Sequence, residues 1–309
     1  MTKSIVVTRR RTRRAVAALT TAGLALAAPA ASLAAGAADL FYERTVLRAA
    51  DQRCGLFDPK VSAALEAARA QARGAALRGG TNAAELARLQ TKAEQKAASV
   101  GCGSQDMKIA AGRVRNAFEG YARLYRMSFP GDVASWRAER VIPSDGLGWS
   151  LLQSVRFGTD QMSFGLAGRR GEPAQLTAAA LFGDGARPYA ARLVIRDVDR
   201  TSAPYLADAR GGPTARLPLS SRVAPRSASK TFLAAGRSTD ARLSPEPGRP
   251  AAVYRFPAAA VAAMGRLDPR EAVTVEFLFA GRGRDTVRAA YLEVGDFTAG
   301  QAFLTIAKR

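Results

Sequence analysis

The sequence predicts an α+β protein, in which an N-terminal helical hairpin or bundle domain is followed by an antiparallel β-sandwich-like domain. Helix caps and helical apolar spacing occupy the chain as far as residue 140, and short alternating runs between turn residues occupy the rest. The 309 residues suffice for two domains. We therefore assign residues 39–140 to the helical domain and residues 141–309 to the β domain.

Residues 1–38 have the form of a bacterial secretory signal peptide. Lys3 and five arginines between Arg9 and Arg14 precede an uncharged, alanine-rich run that ends in small residues. Cleavage is expected between about Ala34 and Ala38. No later segment approaches the roughly 18 apolar residues of a membrane helix, so the mature chain is predicted to have no transmembrane span. The sequence thus predicts a periplasmic or secreted protein, exported by either the general or the twin-arginine route.

The chain is strongly basic, with a formal net charge of +20, of which the signal peptide carries six basic residues and no acidic ones. Basic proteins often bind nucleic acid, but an exported protein does not meet it. Arginine-rich and alanine-rich composition is typical of a compositional bias of the source genome. The sequence therefore predicts no nucleic-acid partner and leaves an anionic envelope polymer as an alternative.

Four helices are predicted in the first half, each from a capping residue at its start. Pro59 at the first helical position favours the second helix, and Gly55 and the pair after Arg78 end helices because glycine adopts left-handed geometry. The fourth helix is predicted to continue to the "FPGD" turn that begins at Phe129. The predicted capping residues are Asp39, Asp58, Asn82, and Ser104 or Asp106.

The two cysteines lie in related stretches, "RAADQRCGLFDPKV" and "KAASVGCGSQDMKI". Each stretch places a cysteine at a predicted helix end and an aspartate at or near the next helix start, which indicates two helix–turn–helix units, arising by duplication or by convergence. Because exported cysteines generally pair, we predict a structural disulfide between Cys54 and Cys102. A redox site or free thiols are the alternatives, but no C-x-x-C is present.

The second half is predicted to consist mostly of strands, since its apolar runs are short and are separated by glycine, proline and aspartate turns. Pro257 is predicted to begin a short helix, the last segment is a helix or a final strand, and residues 201–250 are predicted to form a long loop. The predicted strands are "WSLLQSVRFG", "QMSFGLAG", "AQLTAAALFG", "YAARLVIRDVD", "KTFLAAG", "AAVYRF", "AVTVEFLFAG" and "TVRAAYLEVG".

The chain contains no histidine, which removes histidine-based hydrolases and histidine-ligated metals. No metal site and no cofactor are predicted. Ser227 and Lys230 match the S-x-x-K pattern of a serine nucleophile with a lysine base, but its partner motifs are absent. Glu276 and Glu293 form a glycosidase-like carboxylate pair only if their strands are neighbours, and the alternation predicts that Glu276 faces solvent.

The sequence defines no specific activity. The favoured hypothesis is a non-catalytic binding or scaffolding protein of the bacterial envelope, acting through the β domain or the domain junction. Its partner is either another envelope protein or an anionic polymer. The alternative is a histidine-independent hydrolase that uses a carboxylate pair or Ser227 with Lys230 and acts on envelope polymers.

Overall fold

The computed structural model describes residues 30–140, 148–169, 175–206 and 217–305. Its architecture is α+β, as the sequence predicts: four N-terminal helices precede two antiparallel sheets. The N-terminal helices are α1 (Ala30–Cys54), α2 (Pro59–Arg78), α3 (Ala83–Ser99) and α4 (Gln105–Phe118).

Local capping sets the boundaries of these helices. The Asp58 side chain accepts hydrogen bonds from the N–H groups of Lys60 and Val61, and Asn82 caps α3 in the same way through Ala84. Gly55, with a φ of +61°, turns the chain out of α1. The caps predicted at Asp58 and Asn82 are confirmed, and Ser104 is the residue that caps α4.

The predicted disulfide joins Cys54 to Cys102, with 5.6 Å between the two Cα atoms. It connects the α1–α2 corner to the α3–α4 corner. The two corners are not identical, because Cys54 is the last residue of α1 whereas Cys102 lies beyond Ser99, the last residue of α3. The prediction that both cysteines end helices is therefore wrong for Cys102.

Helix α1 already includes Ala30, the first described residue, and so extends upstream of the predicted start at Asp39. The preceding part of the predicted signal peptide lies outside the described residues. Ala38 packs in a buried cluster with Phe41 and Leu77, and Ala37 contacts that cluster. No described helix combines the length and the apolar character needed to cross a membrane.

Helix α4 is shorter than predicted, because the chain leaves it at Phe118 and enters strands β1 (Arg126–Pro130) and β2 (Ser135–Arg140). These strands belong to the stretch that the sequence assigned to helix. In β2 the inward positions are Trp136, Ala138 and Arg140. An arginine at an inward position hides the two-residue alternation that would have predicted the strand.

Within the described residues, nine further strands form the rest of the two sheets, and each of the eight predicted runs overlaps one of them. Every strand pairing is antiparallel, and the seven-stranded sheet has the order β1-β2-β3-β4-β5-β9-β8 while the four-stranded sheet has the order β11-β10-β6-β7. The strands are β3 (Trp149–Phe157), β4 (Asp160–Gly168), β5 (Gln175–Leu181), β6 (Ala190–Arg196), β7 (Ser229–Leu233), β8 (Gly236–Asp240), β9 (Ala251–Phe256), β10 (Ala272–Phe279) and β11 (Thr286–Glu293).

Residues 201–250 are not one long loop. Strands β7 and β8 lie within this stretch, and β8 pairs with β9 at the edge of the seven-stranded sheet. Two short 3-10 helices at Leu219–Ser221 and Arg226–Ala228 precede them. Strand β8 reads "GRSTD", which has no apolar residue, so hydrophobic patterning could not reveal it.

The main core lies between the two sheets and extends to the helices. Its members include Phe164 and Tyr254 from the seven-stranded sheet, Phe277 from the four-stranded sheet and Ala64 from α2. The buried Gln153 amide on β3 exchanges two hydrogen bonds with the backbone of Glu293 on β11 and so links the two sheets. The C-terminal part also contains α5 (Ala258–Met264) and α6 (Phe297–Leu304), so the last segment is a helix.

Aromatic side chains between α4 and the end of β2 connect the helices to the sheets. Tyr121, Phe129 and Trp136 are buried in the main core. Tyr125 instead is 67% exposed.

Candidate functional site

A close approach between α2 and the turn before α6 forms the junction of helices and sheets. Gly74 lies inside α2, where glycine is unfavourable. A Cβ atom at this position would lie 2.1 Å from Oδ1 of Asp296 and 3.0 Å from Nη1 of Arg78. Glycine therefore allows α2 to contact the β11–α6 turn, and the site described below depends on this contact.

A network of buried ion pairs holds the junction together. Arg78 on α2 donates two hydrogen bonds to Asp296, with N–O distances of 2.6 and 3.2 Å. Arg222 binds Asp132 at 3.2 Å and lies 3.5 Å from Glu293. The network therefore fastens α2, the β1–β2 turn, the segment before β7 and the end of β11 to one another.

Glu293 is the centre of this network and is fully buried. Its carboxylate accepts hydrogen bonds from the N–H groups of Asp132, Val133 and Ala134, at 2.6, 2.8 and 3.0 Å. Three backbone donors and one guanidinium occupy the two carboxylate oxygens. Glu293 thus fixes the β1–β2 turn, a structural role that leaves its lone pairs engaged.

Burial also affects the acid–base properties of the neighbouring carboxyl groups. It raises the pKa of Asp132, and the Glu293 carboxylate adds to this effect while Arg222 and Arg78 oppose it. Burial likewise raises the pKa of Asp296, against the opposing effect of Arg78. Desolvation disfavours the charged carboxylate in both cases.

A cavity of about 380 Å³ opens beside this network. We call it the junction cleft. Its walls come from α2, α3, the segment after α5 and the first turn of α6, and they combine arginine side chains with small and apolar ones. The lining residues that matter below are Arg69, Arg73, Gln90, Arg266, Leu267 and Thr298.

The three arginines of the junction cleft differ in their pairing. Arg69 binds Glu66 at 2.6 Å, and Arg266 binds Asp199 at 2.7 Å. Arg73 forms no side-chain hydrogen bond and no ion pair with any residue in the described part of the chain. The cleft therefore contains one guanidinium whose charge is not neutralised by direct contact.

The surroundings of Arg73 disfavour its charge. Burial lowers the pKa of Arg73; Asp268 opposes this, while Arg69 and Arg270 act in the same direction as burial. An anion in contact with Arg73 would offset the loss of hydration and the repulsion from neighbouring arginines. A planar guanidinium with free donors is suited to a carboxylate or a phosphate.

The predicted Ser227–Lys230 pair does not form a nucleophile and a base one helical turn apart. Ser227 is exposed in a 3-10 helix, whereas Lys230 is exposed on β7. The ammonium of Lys230 lies 5.6 Å from the ring centroid of Phe232. Within the described residues no hydrogen bond joins Ser227 to Lys230.

Strands β10 and β11 are neighbours, so the condition for pairing Glu276 with Glu293 is met. Glu293 lies opposite Ala272, however, and four residues of strand place the two glutamates about 13 Å apart along the sheet. Glycosidase carboxylates lie about 5–10 Å apart. The two side chains are thus too distant to flank one glycosidic bond.

Glu276 does not face solvent as predicted, since it is only 5% exposed. It lies on the outer face of the four-stranded sheet, but Arg192 and Arg226 cover it and bind its carboxylate, Arg192 at 2.5 Å. Across the described ranges, His, Cys, Asp and Glu side chains form no group of three that could hold a metal ion.

Sequence patterns did not single out Arg73, Arg78 or Gly74. Two features were available: Arg69 and Arg73 are four residues apart on one helical face, and Gly74 interrupts an otherwise alanine-rich helix. Neither feature shows which arginines are paired. Comparison with protein-family models, with curated proteins and with solved structures finds no match for this chain.

Proposed function

We propose that this protein is a non-catalytic binding or scaffolding protein of the bacterial envelope, which holds an anionic group of its partner in the junction cleft. The observation that carries the proposal is the unpaired Arg73 in a cavity whose other arginines are paired. Such a site gains an ion pair when a carboxylate or phosphate enters, without breaking an existing one.

The surrounding charge supports the same class of partner. The chain has far more basic than acidic residues, 46 against 26, so anions are attracted at long range. The first turn of α6 also lines the cleft through Thr298 and Ala299, and a helix N-terminus carries partial positive charge. The predicted export places the protein among anionic polymers and proteins of the envelope.

The experiment is a retention assay on isolated peptidoglycan, whose peptides carry carboxylates. Wild-type protein is expected to be retained at low ionic strength and released at about 1 M salt, because salt screens the attraction. Arg73→Gln is expected to lose most of the retention. Arg113→Gln, at an exposed position of α4, removes the same charge and is the matched control.

Equal retention of the Arg73→Gln and Arg113→Gln variants would overturn the assignment to the junction cleft. The same incubation tests the hydrolase alternative, since a binding protein releases no soluble fragments. Release of soluble fragments by the wild-type protein would replace the binding proposal with that alternative.

A further inference from the structure

A second concave surface lies on the outer face of the seven-stranded sheet, on the opposite side of that sheet from the main core. It encloses about 550 Å³ and is bounded by β1 to β4 on its floor and by the segment 244–247 on one side. Four neighbouring strands give the floor a width of about 14 Å. We call this surface the serine groove, after five of its lining residues: Ser128, Ser135, Ser150, Ser154 and Ser163.

The hydroxyls of these five serines have no partners within the described part of the protein, whereas Ser244, which also lines the groove, accepts a hydrogen bond from the N–H of Glu246. None of the five donates or accepts a side-chain hydrogen bond there. Ser150 and Ser163 are the informative members, because they are only 4% and 5% exposed and yet line the cavity. The rest of each of these two residues is buried, and the hydroxyl remains open to the groove, so its hydrogen-bond partner is water or a molecule bound there.

Strand register places these hydroxyls on one face of the sheet. Ser154 on β3 lies directly opposite Ser163 on β4, and residues opposite each other in an antiparallel pair have Cβ atoms about 5 Å apart. Ser150 lies opposite Glu139 on β2, four residues and about 13 Å along β3 from Ser154. Each hydroxyl both donates and accepts, so the set matches an extended ligand that presents hydroxyl groups over this length.

The charges of the groove specify the ligand further. Arg137 is exposed in the groove and has no ion pair among the described residues, whereas Glu139 is bound to Arg126 at 3.0 Å. One cation is thus available for an acidic substituent. The described lining residues include no aromatic ring, which favours hydrogen bonding to hydroxyls over stacking on a sugar face.

We propose that the serine groove binds a short segment of an acidic polysaccharide. Its hydroxyl groups would be bound by Ser150, Ser154 and Ser163, and its carboxylate or phosphate by Arg137. This site is separate from the junction cleft and does not depend on it.

Isothermal titration calorimetry with two tetrasaccharides tests the proposal: tetragalacturonate, which is acidic, and maltotetraose, which is neutral. The wild-type protein is expected to bind the acidic tetramer more tightly. Arg137→Gln is expected to abolish this preference while leaving the affinity for maltotetraose unchanged. The double variant Ser150→Ala/Ser163→Ala is expected to weaken both tetramers about tenfold.

Matched variants test whether the tetramers bind in the groove itself. Arg156→Gln removes an exposed charge from β3 outside the groove and is expected to change neither affinity. Arg73→Gln is expected to have no effect either, so loss of oligosaccharide binding in that variant would place the ligand in the junction cleft instead. Absence of binding by wild-type protein at millimolar tetramer, or unchanged affinity in a folded double serine variant, would overturn the proposal.

Discussion

Several buried carboxylates in this molecule are held by arginines that are remote in sequence. Asp296 and Arg78 are separated by 218 residues, and Glu271 binds Arg196 at 2.6 Å across 75 residues. Breaking a buried pair by removing one partner is costly, because it leaves the other charge without hydration and without a counterion. The arginine excess of the sequence therefore has a structural use in addition to its effect on net charge.

Glu293→Gln should show this cost most clearly, because Glu293 contacts both Arg222 and three backbone donors. We expect the free energy of unfolding to fall by about 3 kcal/mol, as is typical for a broken buried pair. The control is Glu246→Gln, which breaks an exposed pair with Arg249 and should cost less than about 0.5 kcal/mol. Denaturant unfolding of both variants provides the measurement, and equal losses would contradict the structural role of Glu293.

Asp132 should make the free energy of unfolding depend on pH. Its folded-state pKa is raised, so between the unfolded and folded pKa values the folded protein binds more protons, and stability decreases as pH rises. We therefore expect the destabilisation caused by Asp132→Asn to become smaller as pH is raised from about 4, near the unfolded pKa. The measurement is urea unfolding of wild-type and variant protein over that range.

Asp240 provides a control of opposite sign. The hydrogen bond from Arg242 lowers the pKa of Asp240, so its contribution is present above the unfolded pKa and is lost as pH falls. Destabilisation by Asp240→Asn should therefore grow as pH rises. If the destabilisation by Asp132→Asn and by Asp240→Asn changed in the same direction with pH, the opposite pKa shifts of the two carboxyl groups would be contradicted.

Elements were predictable from the sequence where short-range interactions determine them. Asp58 and Asn82 cap their helices through contacts within three residues, so these helix starts were predictable. Strand β2 was missed because its inward Arg140 depends on a distant partner. Its guanidinium lies 3.3 Å from the ring centroid of Phe303, which is 163 residues away in the chain.

Replacement by alanine of two glycines inside helices should change the stability of the protein in opposite directions. A Cβ atom at Gly112 in α4 would meet no other group within 4 Å, so Gly112→Ala should stabilise by up to about 1 kcal/mol. Gly74→Ala has the same helical preference but would place a methyl group against Asp296 and Arg78. We expect it to destabilise the protein and to weaken retention on peptidoglycan, because the junction cleft would widen.

Thermal unfolding of the two alanine variants checks this expectation, and each serves as the control for the other. Stabilisation by Gly74→Ala similar to that by Gly112→Ala would show that α2 does not need the close approach to the β11–α6 turn.

At the scale of the whole molecule, the candidate site could not be predicted because pairing is a property of the folded chain. Glu66 precedes Arg69 by three residues on α2, so that pair is visible in the sequence, but the pairing of Arg266 with the remote Asp199 and the lack of such a partner for Arg73 among the described residues are not. The S-x-x-K pattern shows the converse: its spacing implies proximity only within one helix, and Lys230 lies on a strand.

Helices and sheets should unfold together, because Ala64 and Ala67 of α2 are part of the main core and Arg78 binds Asp296. The disulfide closes a loop of 48 residues within the helical part, and its removal should cost about 4 kcal/mol. We therefore expect Cys54→Ser/Cys102→Ser to shift a single thermal transition, observed alike by helix circular dichroism and by fluorescence of the buried Trp136 and Trp149.

Reductant should reproduce the shift in wild-type protein and have no effect on the variant. Two transitions, of which only the helical one moves, would show instead that helices and sheets are independent domains.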